Sequence, residues 1–152
     1  MNEVKQKNKR AETVSEIADR LHSAAIHLLR NVRKEDAATR EAPARLSALS
    51  VLVFGGPMTL GQLAAAEQVK PPTMTRIVNG LERSGLAQRV TDPKDARRIR
   101  IRATGKGERL LQAARKRRIE YLAGHLEALK QDDLGAVGQA VRIIERVLTD
   151  WK

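Results

Sequence analysis

The segment from Lys70 to Gly85, KPPTMTRIVNGLERSG, carries side chains that suit the reading of base pairs. In a helix each residue turns the chain by about 100°, so one side becomes apolar, with Met74, Ile77, Val78 and Leu81. The opposite side carries Pro72, Thr73, Thr75, Arg76, Asn79 and Arg83. Arginine donates two hydrogen bonds to guanine, asparagine pairs with adenine, and a threonine methyl contacts a thymine methyl. The pattern favours a face that reads duplex DNA, although an ordinary solvated helix face has a similar composition.

A second basic segment, TDPKDARRIRIR, follows from Thr91 to Arg102. Arginine alternates with isoleucine at the C-terminal end of this segment. A period of two is typical of a strand with one buried and one solvent-exposed face. We predict a β-hairpin in which LAQRV and RRIRIRA flank a loop from Asp92 to Arg97. One face is expected to pack on helices through Val90, Ile99 and Ile101. The other face is expected to point away, with Arg98, Arg100 and Arg102.

The loop of this hairpin suits the minor groove of DNA. A narrow minor groove concentrates negative potential and therefore favours an inserted arginine. Asp95 would repel phosphate, so we interpret its carboxylate as an orienting partner for Arg97 or Arg98.

Several helices are predicted to position these two segments. A stripe from Val14 to Val32, with Ile17, Leu21 and Leu28, predicts a first helix. Pro43 near a helix start predicts a second helix, from Pro43 to about Phe54. Thr59 and Gln62 have the spacing of a capping box, which predicts a short third helix. A turn of about four residues, EQVK, joins it to a fourth helix from Pro71 to Ser84, and this is helix-turn-helix spacing.

The C-terminal third of the chain predicts two more helices. Thr104 caps a long helix that runs to about Lys130, and the last segment repeats apolar residues from Leu134 to Leu148 at heptad spacing. One short chain has too few apolar surfaces to bury the apolar stripes of these helices and of the first helix. A symmetric second copy could cover them.

Composition limits the classes of function. The 152 residues carry 29 Lys and Arg against 18 acidic residues, a net charge of +11, which attracts nucleic acid, anionic membranes or acidic partners. With no cysteine, disulfides, thiolate metal sites and thiol redox switches are excluded. The apolar stretches are too short to span a membrane, and the N-terminus lacks the core of a signal peptide. We therefore expect a soluble, cytoplasmic protein without membrane contact.

Other kinds of site find little support. His22 and His27 are five residues apart, which is not the spacing that shares a helix face, so no metal site is expected. GKGERL lacks the complete pattern of a phosphate loop, and no nucleophile motif or pair of acids is present. The sequence therefore predicts no enzyme and no cofactor. One Trp, one Tyr and one Phe are too few for stacking single-stranded nucleic acid, which leaves duplex DNA as the partner.

The motifs LGQLA, TRIVNGLERSGL, R-x-x-D-P-x-D-x-R from Arg89 to Arg97, and ATGKG lie between residue 58 and about 111. Together they resemble the MarR (multiple antibiotic resistance regulator) family of winged-helix transcription factors. The implied fold is mainly α with a small β-hairpin wing. It comprises an N-terminal dimerisation helix and linker at 13–42, a winged helix-turn-helix lobe at 43–103, and C-terminal dimerisation helices at 104–152. Residues 1–12 carry Lys5, Lys7, Lys9 and Arg10 with almost nothing apolar, so their composition predicts a flexible basic tail.

The resemblance implies a homodimer whose recognition helices enter successive major grooves of a pseudo-palindromic operator while the wings contact minor grooves. Thr73, Thr75 and Arg76 match positions that contact bases and phosphates, and Asp95 with Arg97 matches a supported arginine at the wing tip. Lys70 and Pro72 replace the Ser or Thr cap common in the family. The implied function is a sequence-specific regulator, expected to be a repressor that a small-molecule effector releases.

Two other interpretations are consistent with the same composition. A weakly specific architectural protein would use the basic surface without reading bases. A basic helical oligomer could instead bind an anionic membrane surface, with its apolar stripes available to lipid.

Overall fold

The computed structural model describes residues 12–150. In chain order the elements are α1 (Val14–Val32), a 3-10 helix (Arg33–Thr39), α2 (Pro43–Gly55), α3 (Leu60–Ala66), α4 (Pro71–Arg83), β1 (Ala87–Asp92), β2 (Asp95–Ala103), α5 (Gly105–Leu126) and α6 (Gln131–Thr149). The fold is therefore mainly α with one antiparallel hairpin, as the sequence predicts. The predicted basic tail lies outside the described residues, apart from Glu12.

Helix α1 begins where its sequence predicts. Thr13 and Glu16 form a capping box, in which the Glu16 carboxylate accepts the Thr13 N–H at 2.7 Å. The 3-10 helix that follows was not predicted. It ends at Thr39, and the next residue, Arg40, has a left-handed φ of 58° that turns the chain towards α2.

The helix-turn-helix is built from α3 and α4. The Thr59–Gln62 capping box opens α3, and the N–H of Gln62 donates to Thr59 Oγ1 at 3.2 Å. The predicted turn is confirmed, since residues 67–70 separate the two helices. Prolines occupy the first turn of α4, and Gly85 adopts a left-handed φ of 69° just beyond its end.

The core of the winged helix-turn-helix lobe lies between α2, α3, α4 and the hairpin. Its largest fully buried side chains are Leu49, Leu63, Met74, Val78, Leu81, Leu86 and Ile101. Each such side chain stabilises the fold by about 1.5–3 kcal/mol relative to an exposed one. Three of these residues lie on α4, which confirms the predicted apolar side of that helix and leaves the other side free.

The hairpin differs from the prediction in the length of its loop. Strand β2 already begins at Asp95, and Asp95 pairs with Asp92, so only Pro93 and Lys94 form the turn. The expected loop from Asp92 to Arg97 is therefore wrong. Asp92 Oδ1 accepts the N–H of Lys94 at 2.8 Å, and this local bond tightens the turn.

Helix α5 ends earlier than predicted, and α6 is distinct from it. The Thr104 hydroxyl caps α5 by accepting the N–H of Gly107 at 3.1 Å, and the helix ends at Leu126 rather than near Lys130. No residue of α1 or α6 is buried. Between residues 12 and 150, no helix is both long and apolar enough to cross a membrane.

Candidate nucleic-acid interface

Helix α4 presents one polar side to solvent. Met74, Val78 and Leu81 are buried beneath it and Ile77 is half-buried, so the helix cannot rotate without exposing the core. The exposed residues on the outer side and at its beginning are Lys70, Pro71, Pro72, Thr73, Arg76, Asn79 and Arg83. Among the described residues neither Arg76 nor Arg83 forms an ion pair, so both guanidinium groups are available to an anion or a base edge.

The first turn of α4 lacks the usual donors for phosphate. A helix N-terminus normally binds anions through its free backbone N–H groups. Pro71 and Pro72 have no N–H, and the N–H of Thr73 donates to the Lys70 carbonyl at 3.0 Å. Any phosphate at this end must therefore be held by side chains, and those of Lys70 and Thr73 are exposed there.

Thr75 is half-buried, and its hydroxyl donates to the Pro71 carbonyl at 3.0 Å. With that donor engaged inside the helix, the methyl group and the two oxygen lone pairs remain for other contacts. Such a side chain is suited to the apolar contact with a thymine methyl group.

Asn79 belongs to a network that the sequence did not predict. Arg89 on β1 donates through Nη2 to Asn79 Oδ1 at 3.0 Å, and its Nη1 pairs with Glu82. The backbone N–H of Arg89 donates to the same Glu82 carboxylate at 3.2 Å. The only sequence signal was the presence of Asn79 and Glu82 three residues apart on one helix, opposite a strand arginine.

At the wing tip, Asp95 contacts both neighbouring arginines in different ways. Its carboxylate accepts the backbone N–H of Arg97 at 3.0 Å, and its Oδ2 lies 3.3 Å from Nε of Arg98. The side chains of Arg97 and Arg98 are exposed. Asp95 thus orients the guanidinium of Arg98 directly and supports Arg97 through its backbone.

The root of the wing contradicts the simple alternation of wet arginine and buried isoleucine. Ile101 is buried as predicted, but Ile99 is 48% exposed, because the hairpin projects beyond the helices at that point. Arg100 does not point away freely, since its Nε donates to Asp92 at 2.6 Å and its Nη1 to the Pro57 carbonyl at 3.3 Å. The bonds from the Lys94 N–H and from Arg100 lower the pKa of Asp92 below its ordinary value.

A short segment before α3 also holds the wing. Met58 and Ile101 exchange two backbone hydrogen bonds, of 3.1 and 2.8 Å. The base of the hairpin is therefore bonded to the lobe on the side away from β1, while its tip extends into solvent.

A cavity of about 720 Å³ lies between the 3-10 helix, α2 and α5. Charged walls come from Lys34, Glu41 and Arg118, and apolar walls come from Leu46 and Val51. Nη1 of Arg118 donates to both carboxylate oxygens of Asp36, at 2.9 and 3.0 Å, which ties α5 to the 3-10 helix beside the cavity. The sequence did not mark this cavity.

The described part of the chain contains no group of three or more His, Asp or Glu residues arranged to hold a metal ion.

Known proteins resemble this chain in both sequence and architecture. The model of the MarR family matches residues 43–99. An HTH-type transcriptional regulator of Mycobacterium bovis is 35% identical over 117 residues, which are 77% of this chain and 82% of the relative.

Two solved structures illustrate the similarity of the fold. A MarR family protein from Bacillus stearothermophilus is 27% identical, with a TM-score of 0.74, and the match covers 91% of this chain and 99% of that one. A MepR mutant from S. aureus, bound to oligodeoxyribonucleotide, is 20% identical, with a TM-score of 0.65. This match covers 93% of this chain and 100% of the MepR chain.

The family match spans the helix-turn-helix and most of the wing, which are the elements that carry the exposed arginines. The chain belongs to the MarR family of winged helix-turn-helix, DNA-binding transcriptional regulators.

Proposed function

We propose that this chain is a homodimeric repressor that binds a pseudo-palindromic operator in duplex DNA. The observation that carries the proposal is the outer side of α4, where Arg76 and Arg83 are exposed and without ion pairs among the described residues. The buried side of α4 holds this face in one orientation, and the wing extends beside it. The MepR mutant bound to oligodeoxyribonucleotide has the same fold, which supports DNA as the ligand.

In the proposed complex, α4 lies in the major groove. Thr75 and Arg76 contact base edges, with Asn79 further along the same face and Arg83 near its end. Lys70, Pro72 and Thr73 approach the backbone at the first turn. Because the prolines remove backbone donors there, Lys70 and Thr73 supply the phosphate contacts through their side chains.

The wing occupies the adjacent minor groove in this proposal. Arg97 enters the groove, and Arg98 contacts its edge while Asp95 holds the guanidinium in place. The electrostatic potential of a narrow groove favours such an arginine over a neutral side chain.

The proposed dimer is formed by α1, α5 and α6. Large apolar side chains on α1 and α6 are about half exposed in the single chain, including Ile17 at 52%, Leu28 at 48%, Val141 at 47% and Leu148 at 50%. A symmetric partner would bury the same side chains on both copies. Two recognition helices would then be separated by about one helical turn of DNA.

Release by a small molecule is the regulatory part of the proposal. The cavity beside Arg118 lies between α5, which belongs to the dimerisation region, and α2 of the lobe. A ligand that binds this cavity more tightly in one arrangement of the dimerisation region and the lobe increases the fraction of protein in that arrangement. The spacing of the two recognition helices then changes. As a regulator of this kind, the protein is expected to act in the cytoplasm.

A selection from a randomised duplex library tests the proposal. We expect a palindromic motif that binds about 10³-fold or more tightly than random duplex, with two protomers per site by light scattering. A ratio near one would instead indicate an architectural DNA-binding protein. Co-sedimentation with anionic liposomes in place of DNA would identify a membrane-binding oligomer.

A further inference from the structure

Arg89 lies on β1 of the wing, yet its guanidinium reaches back to the recognition helix. Its Nη2 is 3.0 Å from Asn79 Oδ1, and its Nη1 pairs with the Glu82 carboxylate one turn further along α4. Arg89 is thus held by Glu82 at two points, through the side chain and through the backbone N–H at 3.2 Å. The side chain of Glu82 is only 27% exposed, so this ion pair is partly shielded from solvent.

The contact fixes the orientation of the Asn79 amide. An arginine only donates hydrogen bonds, so the amide atom facing it must be the oxygen. The NH₂ group of Asn79 consequently points away from Arg89. Without this donor, the amide could rotate by half a turn and exchange its oxygen and nitrogen, since the terminal torsion of asparagine is nearly two-fold.

The fixed orientation matters for reading bases. To pair with adenine, an asparagine must present an oxygen acceptor to N6 and an NH₂ donor to N7 in one order. Arg89 uses one lone pair of Oδ1, so one acceptor and both donors remain, and their order on the helix face is set before DNA arrives. The Asn79 side chain therefore loses little further conformational entropy when it binds DNA, because it is already ordered in the free protein.

We propose that Arg89 is a positioning residue for sequence recognition, which acts through Asn79 and is itself held by Glu82. The inference rests on the proposed function, because it concerns the specificity of the same DNA-binding face. It also links the wing to the recognition helix, since the residue that orients Asn79 belongs to β1.

The test measures base preference at each operator position. The wild type, Asn79→Ala, Arg89→Lys, Glu82→Gln and the double variant Asn79→Ala/Arg89→Lys are each selected on a randomised duplex library. Arg89→Lys keeps the positive charge but replaces the planar fork by one ammonium group, which does not reproduce both contacts. Gln88→Ala is the control, because Gln88 points to the other face of β1 and belongs to no proposed DNA contact.

We expect Asn79→Ala to reduce discrimination at one base pair of each half-site by about 5- to 150-fold. Arg89→Lys should reduce discrimination at that same base pair, Glu82→Gln should do so more weakly, and the double variant should resemble Asn79→Ala. The slope of log K against log salt should stay unchanged in Arg89→Lys, because the variant keeps the positive charge, so its effect should be confined to base preference.

Distinct results overturn the inference and the proposed function. If the wild type selects no motif, the proposed function itself fails. If it selects a motif but Arg89→Lys retains full discrimination at the base pair sensitive to Asn79→Ala, the positioning role is wrong. The role is equally wrong if Asn79→Ala changes no base preference. Thermal unfolding of each variant, and Glu82→Gln as an independent change in the network, separate these outcomes from a loss of folding.

Discussion

The Asp92 carboxylate accepts a 2.6 Å hydrogen bond from Nε of Arg100 at the root of the wing. The same guanidinium donates to the Pro57 carbonyl at 3.3 Å, so Arg100 ties the hairpin to the segment before α3. Asp92 is 4% exposed and is the buried charged residue of the described chain. The wing therefore carries its own polar anchor, in addition to the backbone bonds between Met58 and Ile101.

This anchor should weaken in acid. The pKa of Asp92 is lowered by the Lys94 N–H and by Arg100, so folding favours the charged carboxylate. The stability added by the charged Asp92 carboxylate is fully present above the ordinary pKa of an aspartate, about 3.9. It is lost as the pH falls through the lowered pKa of the folded state. We expect the protection factors of the wing amides, which compare their exchange with that of an unfolded chain at the same pH, to fall below about pH 4 in the wild type. Asp92→Asn should lose most of this pH dependence. Asp132→Asn on α6 is the control, and an identical acid response in Asp92→Asn would refute the role of this anchor.

Arg76→Ala should reduce sequence-specific binding. Arg76 is exposed on α4 and forms no ion pair with any described residue, so its loss leaves the core intact. If it reads a base, the change should cost roughly 1–3 kcal/mol on the preferred duplex and little on random DNA. Titrations of both duplexes check this, with Arg109→Ala on α5 as a charge-matched control. Equal losses on both duplexes would instead assign Arg76 to a phosphate.

Arg97→Ala should weaken binding to most sequences alike. The side chain is exposed at the wing tip, and Asp95 supports its backbone rather than its guanidinium, so the fold should persist. Removing one groove or phosphate contact should lower the slope of log K against log salt by about one unit. Binding isotherms at several salt concentrations measure the slope. An unchanged affinity and slope would remove the wing from the mechanism.

Val141→Glu should shift the protein towards a monomer. Val141 is 47% exposed in the single chain, and a charge introduced into a buried dimer interface would lack a partner. Light scattering should show a smaller mass at low protein concentration, together with weaker operator binding. Gln139→Glu introduces the same charge about 200° away around α6 and should leave the dimer intact. A tight Val141→Glu dimer would contradict the proposed role of this stripe.

Gly107→Ala should destabilise the lobe. A Cβ atom at this position would lie 2.2 Å from the Leu86 carbonyl oxygen and 3.0 Å from Leu49 Cδ1. Since the backbone of Leu86 cannot move without disturbing the start of the hairpin, we expect a loss of about 1–3 kcal/mol or more in the free energy of unfolding. Gly124→Ala lies on the same helix with no atom within 4 Å and should instead stabilise by up to about 1 kcal/mol. Urea unfolding measures the free energy of unfolding of both variants. Similar free energies would show that the backbone adjusts around the new Cβ atom at residue 107 with little loss of stability.

The starts of the helices followed from the sequence because the signals that set them are local. Thr59 and Thr104 cap the helices predicted to begin there, through bonds to residues three positions away. Thr13, which the sequence analysis did not single out, caps α1 through Glu16 in the same way. The buried side of α4 also followed, since its apolar residues recur at the helical period and have no alternative core to join. Motifs between residue 58 and about 111 were sufficient to indicate the family, which the match to residues 43–99 confirms.

Contacts between residues distant in the chain were decided by the tertiary structure. A period of two predicts a strand but not how far it projects beyond its neighbours, and this distance leaves Ile99 exposed while Ile101 is buried. Charge alone did not distinguish an arginine that stays exposed from one engaged within the protein. Arg97 and Arg100 differ because folding brings Asp92 and the Pro57 carbonyl to Arg100, across 8 and 43 residues of chain. In the same way, only the docking of β1 on α4 places Arg89 against Asn79.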